Sequence, residues 1–245
     1  MKLKYKILNL FYSQKTKSKH HRILSKYNTY YRGLDRDLKN AFVLRNIYFT
    51  NSTTFSTDPK LGLQNPIEIL ISSAFVQITF GLNQDCLNIF NNIFVMAAPY
   101  SYKQSKDVYK GDVNANTGSI NLAWPSVKEG FYIDDDALNL AIHEFSHGIL
   151  LEHINTTSNS PFFDKRRLKE YNVFAQQKLE KVRAGNNVVF RDYAGTNIME
   201  LFAVALETFF EKPSDFATHE PDLYKSICYL LNQNPIKEGS PLIYA

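Results

Sequence analysis

Residues 141 to 153, AIHEFSHGILLEH, place three histidines and two glutamates in a stretch whose other members are mostly apolar. The segment holds no proline and one glycine, Gly148, and it follows Asp134, Asp135 and Asp136, acids suited to a helix N-terminus. It therefore reads as a helix starting near these acids. Ile142, Phe145 and Ile149 give it apolar flanks, so the helix must be buried, and imidazoles and a carboxylate inside a core need partners. A chain with such a helix has to fold around a polar cluster of its own making.

His143 and His147 stand four residues apart, on one helical face about 5–6 Å from each other, so both imidazoles reach a single cation. Glu144 points to the edge of that face, where its carboxylate approaches a metal-held water without being a ligand. This is the H-E-x-x-H arrangement of metallopeptidases. A catalytic zinc, one per chain, needs a third protein ligand and leaves one position open for water.

His153 has the sequence distance seen in the longer H-E-x-x-H-x-x-G-x-x-H pattern, but position 150 is Leu150 where that pattern needs glycine. On a helix that simply continues, His153 lies about 9 Å beyond His147 along the axis and out of range. Glu152 and His153 then read as a polar helix end. The better source is NIMELFAVALETFF, where Glu200 is set among Ile198, Met199, Leu201, Phe202 and Val204. An ionised carboxylate there is costly unless a cation pairs with it. Glu207, seven residues on, falls on nearly the same stripe. One of the two is the ligand and the other orients a ligand histidine, and periodicity leaves open which is which.

Elsewhere, LDRDLKNAFVLRNIYF (34–49) has helical spacing, and 51–66 is turn-rich. Residues 66–80 predict a long buried helix. Two short strands are expected at 92–99 and at 118–124, the second half-buried by its alternation of Ile120, Leu122 and Trp124. Helices follow within 162–185, where Gly185 closes a charged surface helix, within 196–213 and within 220–235.

Charge is uneven: the first 34 residues carry nine Lys or Arg and no acid, against 19 bases and 24 acids in the rest. Residues 1–33 are expected to be a basic, solvated and partly disordered arm. Contact with an anionic membrane surface, to which ILNLF, Phe11 and Tyr12 offer an apolar face, or with nucleic acid, is the functional alternative. No transmembrane span is expected, and neither is a signal peptide. Cys86 and Cys228 lie far apart, which excludes a cysteine zinc site and fits a reducing cytoplasm.

Several segments together resemble the Mlc titration factor A (MtfA) family of zinc metallopeptidases: YYRGLDRDLKNAF, GSINLAWPSVKEG, NLAIHEFSHGI and the long block RDYAGTNIMELFAVALETFFEKPSDFATHEPDLYKSICYLLNQNP. The resemblance implies that Glu200 is the third zinc ligand and that Tyr193 steadies the oxyanion. The same tyrosine and glutamate spacing occurs in the catalytic domain of anthrax lethal factor, a zincin to which the family is similar in fold. An edge strand that pairs with extended peptide is also implied, and GSINLAW matches it. The family usually has aspartate where this chain has Leu150, and its partner is a glucose-responsive transcriptional repressor. Together these readings predict an α+β, mainly helical, zincin-like peptidase domain over 34–245 with a small mixed β-sheet. It acts on peptide or protein, with His143, His147 and Glu200 on zinc and Glu144 and Tyr193 catalytic. The competing class is a zincin scaffold that binds a regulator or membrane component without catalysis.

Overall fold

The computed structural model describes residues 3–62, 65–103, 106–155, 161–237 and 239–243. The chain opens with four helices, α1 (Leu3–Phe11), α2 (Gln14–Tyr27), α3 (Thr29–Gly33) and α4 (Arg36–Ser52). Strand β1 (Thr54–Thr57), helix α5 (Asn65–Thr79) and strands β2 (Asn92–Met96), β3 (Gly111–Asn114) and β4 (Ser119–Ala123) follow. The rest is helical: α6 (Trp124–Tyr132), α7 (Leu140–Asn155), α8 (Lys165–Arg183), α9 (Ile198–Glu211), α10 (Pro213–His219) and α11 (Pro221–Leu231). This is the expected α+β, mainly helical fold with one small mixed sheet.

Short polar side chains start several of these helices by accepting otherwise unpaired amide protons. Asp35 accepts from the Leu38 N–H, Asp164 from those of Arg166 and Arg167, and Asn197 from those of Met199 and Glu200. Helix α7 begins later than the aspartates suggest. Asn139 takes the Ile142 N–H at 3.2 Å, and Asp134 to Asp136 stay in the loop before it.

The sheet has the order β1-β2-β4-β3, with β1 and β4 parallel to β2 and β3 antiparallel to β4. β4 is therefore interior, and its five residues are all buried. Both features correct the expectation of a half-buried edge strand: the edge beside α7 is β3, and β1 lies in the stretch read as turn. Ile120 and Leu122 turn toward the helical core. Gly148 lets α7 come close there, since a Cβ at that position would sit 3.0 Å from Ile120 Cδ1.

Phe145 packs between α4 and α5, its ring 5.7 Å from Phe49 and 5.6 Å from Phe75, which themselves stack at 4.0 Å. The metal-motif helix is thus held from behind by an aromatic cluster. None of the helices among the described residues is long and apolar enough to cross a membrane.

Residues 14–33 are not a solvated arm. α2 buries His20, Ile23 and Leu24, and the His20 ring meets Asn46 of α4 at 2.7 Å. Tyr5 of α1 is buried and donates to Asp85, which pairs with buried Arg45 at 2.9 Å. Lys15, Arg22, Lys26 and Arg32 lie exposed on the outer faces of α2 and α3, whose inner faces bury Ile23, Leu24 and Tyr31, a periodicity that net charge conceals. The packing predicts that Phe75→Ala lowers the unfolding free energy by about 3–5 kcal/mol, with the urea m-value unchanged. A loss below about 1 kcal/mol would show that this cluster does not support α7.

Candidate metal centre

Helices α7 and α9 pack against each other and bring His143, His147 and Glu200 together. The two histidine Nε2 atoms are 3.1 Å apart, and Glu200 Oε2 lies 3.1 Å from that of His143 and 3.3 Å from that of His147. Three ligand atoms on a tetrahedral zinc, at bond lengths of roughly 2.0–2.2 Å, would stand roughly 3.3–3.6 Å from one another. Glu200 Oε2 is also buried without a hydrogen-bond partner. A carboxylate oxygen and two imidazole nitrogens converging on one point suit a cation better than one another. The residues present therefore fit a zinc ion.

Behind this cluster, His143 donates from Nδ1 to Glu207 Oε1 at 2.5 Å, which leaves the Nε2 lone pair free for a metal. Glu207 is 1% exposed and accepts from three further donors. Arg191 reaches Oε1 at 2.7 Å and Oε2 at 3.0 Å, and the Asn139 N–H reaches Oε2 at 3.0 Å. Of the two glutamates left open by periodicity, Glu200 faces the histidine tips and Glu207 orients His143. Sequence reading missed Arg191. Its signal was the apolar setting of Glu207, which required a cation from elsewhere in the chain. No such partner stands behind His147, whose Nδ1 is buried without a hydrogen bond among the described residues. Leu150, one turn on, offers none.

Glu144 is buried, and β3 runs directly over it. A Cβ on Gly111 would come within 2.6 Å of Glu144 Oε1, so glycine is what allows the strand and the carboxylate to touch. Burial pushes the Glu144 carboxyl up to about 8, against the lowering effect of His143. Tyr193 lies in a 3₁₀ turn (Asp192–Gly195), half exposed, with its ring 6.1 Å from that of His143. Burial and the nearby Glu200 charge raise its pKa, so the phenol keeps its proton at neutral pH. His143, Glu144, Gly111, Lys110, Arg191 and Tyr193 share one open cavity of about 420 Å³.

The end of α7 is not merely polar surface. Glu152 is 1% exposed and accepts the N–H groups of Asn88, Ile89 and Phe90, fixing the loop that leads into β2. His153 accepts the Phe163 N–H at 3.3 Å and lies outside the donor cluster.

The sequence matches the family described as glucose-regulated metallo-peptidase M90 over residues 4–230. It is 27% identical over 174 residues to Mlc titration factor A of Escherichia coli strain UMN026. It is 26% identical over 174 residues to the protein of the same name from Escherichia coli strain UTI89. Each alignment covers 64% of this chain and 64% of the relative, so the chain spans less than two thirds of the length of the curated relatives it matches.

Burial opposes a charge on His143, but the carboxylates of Glu200 and Glu207 push it up to about 9, so the metal-free ring is an imidazolium at pH 7. Coordination requires the neutral ring. Zinc uptake at pH 7 should therefore release one proton per chain from His143 and up to one more from Glu144, whose carboxyl stands at about 8, and the release should fade as pH rises through about 9. Calorimetry in buffers of different ionisation heat reads this number directly. A release of zero at pH 7 would contradict the charged triad.

Proposed function

The chain belongs to the family of glucose-regulated metallopeptidases M90, and on that premise we propose that it is a zinc-dependent peptidase whose general base is Glu144. The observation that carries the reading is the convergence of His143 Nε2, His147 Nε2 and Glu200 Oε2 within 4.8 Å, with Glu144 on the same helix turn. Two imidazoles and one carboxylate form a donor set suited to tetrahedral zinc with one open position. When bound, zinc supplies a Lewis acid that lowers the pKa of water and polarises the scissile carbonyl.

The chain's own residues carry the protons. Glu144 takes one from the attacking water and hands it to the leaving amide nitrogen. Burial holds its carboxyl at about 8 without a metal, and beside a bound zinc it is drawn down into the ionised form that accepts a proton. Tyr193, protonated, donates a hydrogen bond to the carbonyl oxygen as that atom gains negative charge. Arg191 and Glu207 hold the His143 ring with its Nε2 toward the metal position. The substrate lies extended along the outer edge of β3, pairing by main-chain hydrogen bonds beside Glu144.

The relatives are named for the titration of Mlc. The corresponding proposal for this chain is a transcriptional regulator as protein partner, in a reducing cytoplasm, where the thiols of Cys86 and Cys228 are stable.

Hydrolysis of short chromogenic peptides by the zinc-loaded protein tests the reading. Glu144→Gln should lower kcat by about 10²–10⁴-fold with zinc retained, and Tyr193→Phe by about 10²-fold with KM little changed. Turnover by Glu144→Gln at the parent rate would overturn the assignment. A parent that holds zinc but cleaves nothing across a peptide library would favour the binding-protein reading. Gly111→Ala drives a methyl group into Glu144, so it should keep its zinc and lose about 10–100-fold in kcat.

A further inference from the structure

Helix α1 has two apolar stripes. Tyr5 on α1 and Tyr12, the residue just after its end, face the protein: the first is buried, and the second packs against the core. Ile7, Leu10 and Phe11, spaced i, i+3 and i+4, share a different face, and they are 46%, 84% and 78% exposed. Two large apolar side chains left so open, one turn from a third, form an unpartnered stripe on an otherwise anchored helix.

Its surroundings are basic. None of the first 34 residues is acidic and nine are Lys or Arg, with Lys15, Arg22 and Lys26 exposed on α2. A surface hollow of about 800 Å³ opens beside α1, reached through Asn9, the neighbour of Leu10. Lys17, His21, Arg36 and Lys39 line it, and Asp37 is the one acid there. Lys17 closes the end of α1 by donating to the Asn9 backbone oxygen at 3.2 Å and to its side-chain oxygen at 2.9 Å.

We propose that this face is a docking surface for an anionic lipid bilayer: Ile7, Leu10 and Phe11 insert among the acyl chains, and the basic residues of α2 and the hollow hold lipid phosphates. The chemistry selects this occupant. A second copy of the chain would present the same positive field and repel. A protruding wedge of three side chains is also far smaller than the roughly 800 Å² per partner that a stable dimer buries. Nucleic acid would engage the bases but gives Ile7 and Leu10 no apolar medium, whereas the bilayer interface takes an amphipathic basic helix by both faces at once. The docking needs no peptidase activity and stands apart from the reading of the metal centre.

Co-sedimentation of the zinc-loaded 245-residue protein with vesicles tests it. The protein should pellet with vesicles of phosphatidylcholine containing one third phosphatidylglycerol, and not with pure phosphatidylcholine. Binding should weaken about tenfold or more on raising salt from about 0.1 to 0.5 M. The double variant Leu10→Ser/Phe11→Ser should lose about tenfold or more in vesicle affinity at low salt while keeping the parent's circular dichroism and zinc content. Lys15→Glu/Arg22→Glu, which leaves the stripe intact, should lose binding as well.

Failure to pellet with the anionic vesicles overturns the proposal. So does unchanged vesicle binding by Leu10→Ser/Phe11→Ser, which would make the attraction one of charge alone. Binding of duplex DNA by parent and Leu10→Ser/Phe11→Ser alike, with no lipid binding, would assign the face to nucleic acid. A dimer in sedimentation velocity without vesicles, lost in Leu10→Ser/Phe11→Ser, would assign it to a second copy.

Discussion

The arrangement of this protein depends on one buried charge. Glu207 sits on the inner face of α9, 1% exposed, in a helix whose neighbouring residues are almost all apolar. Such a carboxylate is tolerable only if its whole hydrogen-bonding capacity is filled, because removal of a partner from a buried pair costs about 3–5 kcal/mol. Four donors meet the requirement: two groups of the Arg191 guanidinium, the Asn139 amide and the His143 ring. They come from the turn before α9, the cap of α7 and α7 itself. Satisfying one carboxylate therefore fixes the register of the two helices, and that register places Glu200, two turns earlier on α9, at the tips of both histidines.

The sheet completes the site from the other side. β4 is covered on both edges and both faces, so β3 becomes the strand that borders α7, and Gly111 permits it to lie on Glu144. Gly148 does the equivalent on α7, letting Ile120 of β4 pack against the helix. Two residues without side chains thus bring the sheet, the motif helix and the general-base candidate into contact. The aromatic cluster of Phe49, Phe75 and Phe145 supports the helix from the opposite side. Pre-organisation of this kind is what a site handling water and a peptide carbonyl requires.

Local pattern made part of this legible. The H-E-x-x-H spacing, the apolar flanks of α7 and the two acids on the apolar stripe of α9 are properties of short windows, and they led to His143, His147 and the pair Glu200 and Glu207, between which only the family resemblance chose. Arg191 was invisible because its partner is 16 residues away, and its role exists only once α9 and the preceding turn have folded. β3 reads GDVN, four residues with little apolar alternation, so its strand character comes from pairing with β4 rather than from its own sequence. β1 was hidden among turn-forming residues for the same reason. Glu152 looked like a surface residue because nothing near it in sequence predicts the three loop amides that it receives. In the first 34 residues, a dominant positive charge masked the stripe of Ile23, Leu24 and Tyr31 that anchors them in the core.

The central claim is that Glu200, not His153 or Glu207, completes the metal site, and zinc content measured by mass spectrometry after dialysis against a weak chelator tests it most directly. The geometry predicts about one zinc per chain in the parent and in His153→Ala, and close to none in Glu200→Gln. Glu207→Gln should fall between, since it loosens a ligand without removing one. Full zinc in Glu200→Gln, or none in the parent, would contradict the account.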